Sequence, residues 1–156
     1  MYVVCAKSST IWLYNTATYS RLDAVIEVDG MKDPSDIVAC FVDRQLYVAD
    51  WSSDSPYIWR VSAADRTSVK WLTTADTPDI EYIETLSMTS RRLLVTSRHS
   101  LHQYSTADRR ATVVQLPENL QLCHGVETTR GTFVVGYRTR KWEYAVSRST
   151  NDNKVN

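Results

Sequence analysis

Hydrophobic residues in this chain fall into short runs separated by brief polar breaks, and the runs return at a regular spacing. "YVVCA" (2–6), "LYVAD" (46–50), "LLVTS" (93–97) and "TFVVG" (132–136) begin 44, 47 and 39 residues apart. Each is followed by a second run with an aromatic or amphipathic pattern: "IWLYN" (11–15), "IWRVS" (58–62), "LHQYS" (101–105) and "WEYAV" (142–146). A third run comes after three of these, "AVIEV" (24–28), "SVKWL" (68–72) and "TVVQL" (112–116), spaced by 44 each time. A fourth kind precedes the first: "DIVAC" (36–40), "ETLSM" (84–88) and "GVETT" (125–129). Runs of this length, rich in β-branched and aromatic residues and bounded by turn-forming residues, read as strands. No segment of about twelve residues carries the i, i+3, i+4, i+7 apolar stripe of an amphipathic helix.

Four distinguishable strands in constant order predict an all-β fold, a β-propeller of four-stranded antiparallel blades. A β-sandwich also alternates strands and turns, but it does not repeat one strand order in register. Polar turns punctuate the pattern: "VDRQ" (42–45), "TSRR" (89–92) and "TRG" (129–131), then "AADRT" (63–67) and "TADRR" (106–110). Asp suits such turns because its carboxylate bonds to nearby backbone N–H groups. The order divides the chain into about three to four blades: a partial blade over 1–35, blades over 36–82 and 83–122, a partial blade over 123–147, and a polar tail over 148–156. With the strands of a blade named a to d from the axis outward, the first blade lacks a and the last lacks d. At roughly 40 residues per blade, a six-bladed ring takes about 240 residues. The expectation is an incomplete six-bladed ring, either a stretch of a longer protein or a chain that closes its ring with a second copy as a homo-oligomer.

Composition narrows the functional classes. The chain has 156 residues, 43% of them hydrophobic, enough for one domain with a sizeable core. Eighteen basic and eighteen acidic residues cancel, which removes any general attraction to nucleic acid or an anionic membrane. The balance is uneven: residues 1–78 hold seven Lys or Arg against ten Asp or Glu, and residues 79–156 hold eleven against eight. Cys5, Cys40 and Cys123 are too few and too scattered for a disulfide framework or a metal site, and each is expected as a small buried core residue in a reducing compartment. No run is apolar enough to cross a membrane, and "MYVVCAKSST" lacks the pattern of a signal peptide, so a cytoplasmic location is expected.

The stretch "PSDIVACFVDRQLYVADWSSDSPYIWRVS" (34–62) resembles an NHL repeat: a Pro before the inner strand, a variable turn, a YVAD second strand, and a third strand rich in Ile and Arg. "LSMTSRRLLVTSRHSLHQYS" and "VETTRGTFVVGYRTRKWEY" look like divergent copies. The resemblance implies a six-bladed propeller used as a binding platform for protein or RNA, in some members downstream of RING and B-box domains. Three scattered Cys and three His cannot form a RING here.

Candidate chemistry is sparse, and no cofactor or metal is expected. Asp50, at the end of its strand, is expected to cap the backbone of the following turn; its counterparts in the other repeats are Ala6, Ser97 and Tyr137. No ring of carboxylates results, which counts against a metal-dependent lactonase or hydrolase unless absent blades complete one. His99 and His102 are poorly aligned for a shared ligand, and Cys123 and His124 are neighbours on a strand and point to opposite sides. No nucleophile elbow is present. Trp12, Trp59, Trp71 and Trp142 lie in strands and are read as packing residues, with Trp12 and Trp59 at equivalent positions. A loop face is the candidate binding site, with Trp51 and Asp54 from one blade, Arg98 and His99 from the next, and Tyr137, Arg138, Arg140 and Lys141 from the last. Clustered cations beside an aromatic suit an acidic protein patch or single-stranded RNA. The leading expectation is a non-catalytic platform for a protein partner. RNA binding, a hydrolase completed by absent blades, and the substrate-binding propeller of a ubiquitin ligase are the alternatives.

Overall fold

The computed structural model describes all residues except 53–54, 74, 77–79, 81, 117–119, 129–130, 140–143 and 150–156. The described residues contain fourteen strands and no helix. They form four antiparallel meanders. The first has β1 (Tyr2–Val4), β2 (Thr10–Tyr14) and β3 (Arg21–Glu27), and the second has β4 (Pro34–Cys40), β5 (Gln45–Ser52), β6 (Ser55–Ser62) and β7 (Ser68–Leu72). The third has β8 (Ile83–Thr89), β9 (Arg92–Ser97), β10 (Ser100–Ser105) and β11 (Ala111–Gln115), and the fourth has β12 (Leu120–Glu127), β13 (Phe133–Thr139) and β14 (Tyr144–Ser149). The expected Trp142 position, and residues 150–156 of the expected polar tail, lie outside the described residues.

The chain divides into two compact units, Met1–Asp79 and Ile80–Asn156, each holding one three-stranded and one four-stranded sheet. In the first unit, Ile11, Ile26, Val28 and Met31 meet Leu46, Val48, Trp59 and Val61 in one buried cluster. Alternation along each strand explains the membership, because every second residue faces the neighbouring sheet. It also explains why Trp12 and Trp59 have different fates despite their matching motifs. Ile11 takes the cluster side of β2, so Trp12 faces the other way and is half-buried beneath Arg21, whose guanidinium lies 4.8 Å from the ring. On the opposite face of β5, Tyr47 packs edge-on to Trp71 with ring centroids 4.9 Å apart.

In the second unit, Leu94 and Leu101 meet Leu122, Phe133 and Val135. Here Gly125 is required by close approach: a Cβ at that position would lie 2.8 Å from Thr96 Oγ1 and 3.0 Å from Leu101 Cδ2. Glu127 reinforces this contact. Its side chain is 1% exposed, Arg92 pairs with Oε1 at 2.9 Å, and Gln103 Nε2 donates to Oε2 at 2.7 Å. A buried carboxylate needs such partners to offset its lost hydration.

The cysteines differ from expectation. Only Cys40 is buried, and burial pushes its thiol pKa up. Cys5 is exposed because it follows the three-residue strand β1 and begins a loop, and Cys123 is half-buried at a β-bulge.

Candidate functional site

Three of the four sheets share a device at one end. The pairing of the first two strands skips a residue between Pro34 and Asp36, between Ile83 and Thr85, and between Leu122 and His124. Bulges at matching positions make Asp50, Ser97 and Tyr137 structural equivalents, because these are the residues paired with Pro34, Ile83 and Leu122. A bulge also interrupts strand alternation. Cys123 is the residue skipped in the third of these bulges; it is half-buried, and His124 beside it is exposed.

Asp50 is fully buried and organises the loop end of the first unit. Its carboxylate accepts the Asp33 N–H at 2.7 Å, the Lys32 N–H at 3.2 Å and the Trp59 indole N–H at 2.9 Å. The capped backbone therefore precedes β4 instead of following β5, which corrects the expected partner turn. Gly30 makes this possible: its φ of 85° turns the chain above the Trp59 ring, which lies 3.5 Å from where a Cβ would sit. Asp33 extends the network, its carbonyl accepting from Trp51 N–H at 2.8 Å and its carboxylate from Lys7 N–H at 3.0 Å.

In the second unit the equivalent position is filled by hydroxyls. Ser97 Oγ lies 2.6 Å from Ser100 Oγ, and Ser100 Oγ lies 2.6 Å from His102 Nε2, with all three residues buried. A serine beside an imidazole has the spacing of a nucleophile and its base. Burial keeps this pair from solvent, and its visible effect is to pin the two-residue connection Arg98–His99. That connection is also tied to β12: Leu122 N–H donates to the Arg98 carbonyl at 2.9 Å, and the His99 ring Nδ1 lies 3.1 Å from the Leu120 carbonyl oxygen.

The predicted loop-face residues fall out as follows. Arg98 is half-buried with its guanidinium 4.4 Å from the centre of the Tyr82 ring, and His99 is exposed. Arg138 is exposed and pairs across the strands with Gln121, next to the residue bonded to Arg98, so Arg98, His99 and Arg138 share one end of the second unit. Tyr137 packs against the apolar cluster of that unit. Trp51 is half-buried in β5 of the first unit. Asp54, Arg140 and Lys141 lie outside the described residues. Tyr82, the ring beneath Arg98, was not predicted; its only sequence signal is an aromatic just before β8. Among the described residues no group of three or more His, Cys, Asp or Glu side chains is placed to hold a metal. At the other end of the first unit, a cavity of about 280 Å³ is lined mainly by apolar side chains including Tyr2, Cys40, Phe41 and Leu46, together with Arg44.

Known structures resemble this arrangement. A chain in the crystal structure of a nidogen/laminin complex, which contains a β-propeller, superimposes on 99% of this chain with a TM-score of 0.76 and 16% identity. The fold is a β-propeller. Hydrazine synthase of Kuenenia stuttgartiensis matches over 90% of the chain with a TM-score of 0.66 and 12% identity. The extracellular domain of a hybrid two-component system from B. thetaiotaomicron matches over 95% with a TM-score of 0.62 and 12% identity. This chain spans 56%, 39% and 20% of those three chains, so the propeller matches only part of each. No protein-family model matches the sequence, and no curated protein matches it. Identities this low carry the fold alone.

Proposed function

We propose that this propeller is a non-catalytic platform that holds a protein partner through the loop ends of its blades. The observation that carries this reading is the anchored Arg98–His99 connection, which presents Arg98, His99 and Arg138 from backbone tied down by Ser97, Ser100 and β12. Side chains presented from a pre-ordered backbone lose less entropy on binding. The NHL-like repeat at 34–62 supports the same mode of use, since platforms of that kind bind through propeller loops.

Protein is favoured over single-stranded RNA by what the aromatic rings do. RNA binders offer ring faces on which bases stack. Here Arg98 covers Tyr82, and Tyr137 packs into the apolar cluster. The hydrolase reading is disfavoured by Asp50, whose carboxylate is engaged by N–H donors and not offered to a cation.

The test is a photo-crosslinking residue at position 99, compared with one at Asp23 on the exposed stretch of β3. The platform reading predicts discrete protein adducts from position 99 that are lost in Arg98→Ala/Arg138→Ala. A low-salt mobility shift with single-stranded RNA that weakens in the same double variant would transfer the reading to RNA. Calcium-dependent thermal stabilisation would revive the hydrolase.

A further inference from the structure

The turn ends of the sheets are not alike, and the difference opens a cavity in the first unit. Four residues before Asp50, Ser97 and Tyr137 on their strands stand Leu46, Leu93 and Phe133, which pair with Ala39, Met88 and Glu127. In the second unit the side chain of Glu127 occupies this place, reaching Arg92 and Gln103 of the neighbouring sheet. In the first unit the place holds only the methyl group of Ala39. There the cavity of about 280 Å³ lies, lined by Tyr2 from the first sheet and by Ala39, Leu46 and the turn residues Ala63 and Ala64 from the second.

Part of the lining is an insertion. The turn between β4 and β5 runs over 41–44, four residues between the paired Cys40 and Gln45, whereas the turn between β8 and β9 runs over 90–91, two residues between the paired Thr89 and Arg92. The longer turn contributes Phe41 and Arg44 to the lining, and Phe41 is 89% exposed. An apolar body in the cavity would cover part of that ring, which favours its entry. Arg44 is the one charged residue of the lining, and its side chain has no ion pair or hydrogen bond among the described residues. The acids of the adjoining turns are engaged elsewhere: Asp43 Oδ2 accepts from Cys40 Sγ at 3.5 Å, and Asp65 accepts from Thr67. Cys40 adds no charge, because burial pushes its thiol pKa up.

Size and charge select the ligand class. An apolar cavity of about 150 Å³ already holds a benzene ring, so this one has room for a ring and a short chain. The planar guanidinium fork matches a carboxylate bidentately. A carboxylate brings the single negative charge that Arg44 offsets, while a phosphate dianion would leave charge uncompensated against an apolar lining. We infer that this cavity binds a small carboxylic acid with a ring-sized apolar body, its carboxylate paired with Arg44 and its body against Tyr2, Ala39, Phe41 and Leu46. The site lies at the turn end and is separate from the loop end on which the platform reading rests.

The test is a titration with 3-phenylpropionate followed by the amide NMR shifts of Ala39, Ala63 and Ala64, with 3-phenylpropanol and phenyl phosphate as comparison probes. The acid is expected to give saturable shifts at these amides and to bind about fivefold more tightly than the alcohol, the scale of one partly exposed ion pair. Arg44→Gln, on an exposed turn, is expected to weaken the acid by about the same factor and to change the alcohol less than about twofold. Ala39→Met places in the cavity the residue that the third sheet carries at this position, and is expected to weaken both probes about tenfold or more. If Ala39→Met melts early, the contrast between acid and alcohol in Arg44→Gln decides alone. Absence of saturable shifts in the wild-type chain, equal affinity for acid and alcohol, equal weakening of both by Arg44→Gln, or tighter binding of phenyl phosphate would each overturn the inference.

Discussion

The second and third sheets are built alike and held differently. Each is a four-stranded meander with a bulge at the same place, and each has a residue of left-handed backbone at the same two turns: Arg44 and Arg66 in one, Ser90 and Arg109 in the other. At the loop end they diverge. The 34–72 sheet fixes the approaching chain with a buried carboxylate, Asp50, that gathers N–H groups from a preceding loop and from Trp59. The 83–115 sheet has Ser97 there and holds its own tight connection through Ser100 and His102. A common backbone thus accepts two unrelated polar solutions, so long as the buried groups are satisfied. What the two ends display is then free to differ.

The largest expected effects come from the carboxylate hub. Trp59→Ala removes a ring from the first unit's cluster together with a donor to Asp50, and should cost about 3–5 kcal/mol in denaturant unfolding. Asp50→Ala keeps the ring but strands three N–H donors, for about 3 kcal/mol or more. Asp50→Asn, which retains an acceptor oxygen, should lose less. An Asp50→Ala variant as stable as the wild type would erase the distinction between the sheets.

Gly125→Ala should cost about 1–3 kcal/mol by overpacking against Thr96 and Leu101. Gly136→Ala, whose Cβ would meet only the His124 carbonyl oxygen at 4.0 Å, should stay within about 0.5 kcal/mol. Thermal melts of the two variants check this contrast. Ser100→Ala breaks the hydroxyl network and should cost about 1 kcal/mol by the same measurement, well under Asp50→Ala.

The smallest effect belongs to a feature the two sheets share. Thr67 donates to Asp65 through its N–H at 3.1 Å and its hydroxyl at 2.7 Å, and these bonds, the backbone one first, bring the Asp65 pKa down to about 2. Asp108 is lowered in the matching turn of the third sheet, chiefly by the Ser105 hydroxyl. The unfolded value is about 3.9, so the Asp65 turn contributes its stability above about pH 4 and loses it as pH falls to about 2. A carboxyl titration followed by NMR should place the Asp65 midpoint near the lower value, and Asp65→Asn should flatten that part of the pH profile.

Much of the architecture could be read from the order of apolar runs, because strand alternation and the repeat spacing are local properties of the chain. Every quoted run overlaps a described strand, from Tyr2 in β1 to Tyr144 in β14. The polar contacts were harder to read. Asp50 was expected to cap the turn after it, but its partners are Lys32 and Asp33, brought to it by the turn at Gly30, a placement that depends on how two sheets pack. Matching motifs also concealed the difference between Trp12 and Trp59, since the cluster lies on one side of each sheet and each motif turns its tryptophan by strand alternation alone. At the candidate site, Arg98, His99 and Arg138 were placed together from the repeat register. The role expected of Tyr137 as a stacking ring was not legible, because its packing is set by strands distant in sequence.

A platform needs rigid loop ends, and buried polar contacts hold them here. Native-state hydrogen exchange at the Lys32 and Asp33 amides, the Trp59 indole and the Leu122 amide tests it most directly. Bonds to Asp50 and to the Arg98 carbonyl should give these groups protection comparable to that of amides within β5 and β9. Exchange at the rate of an unstructured peptide at these four groups, with the strands still protected, would contradict it.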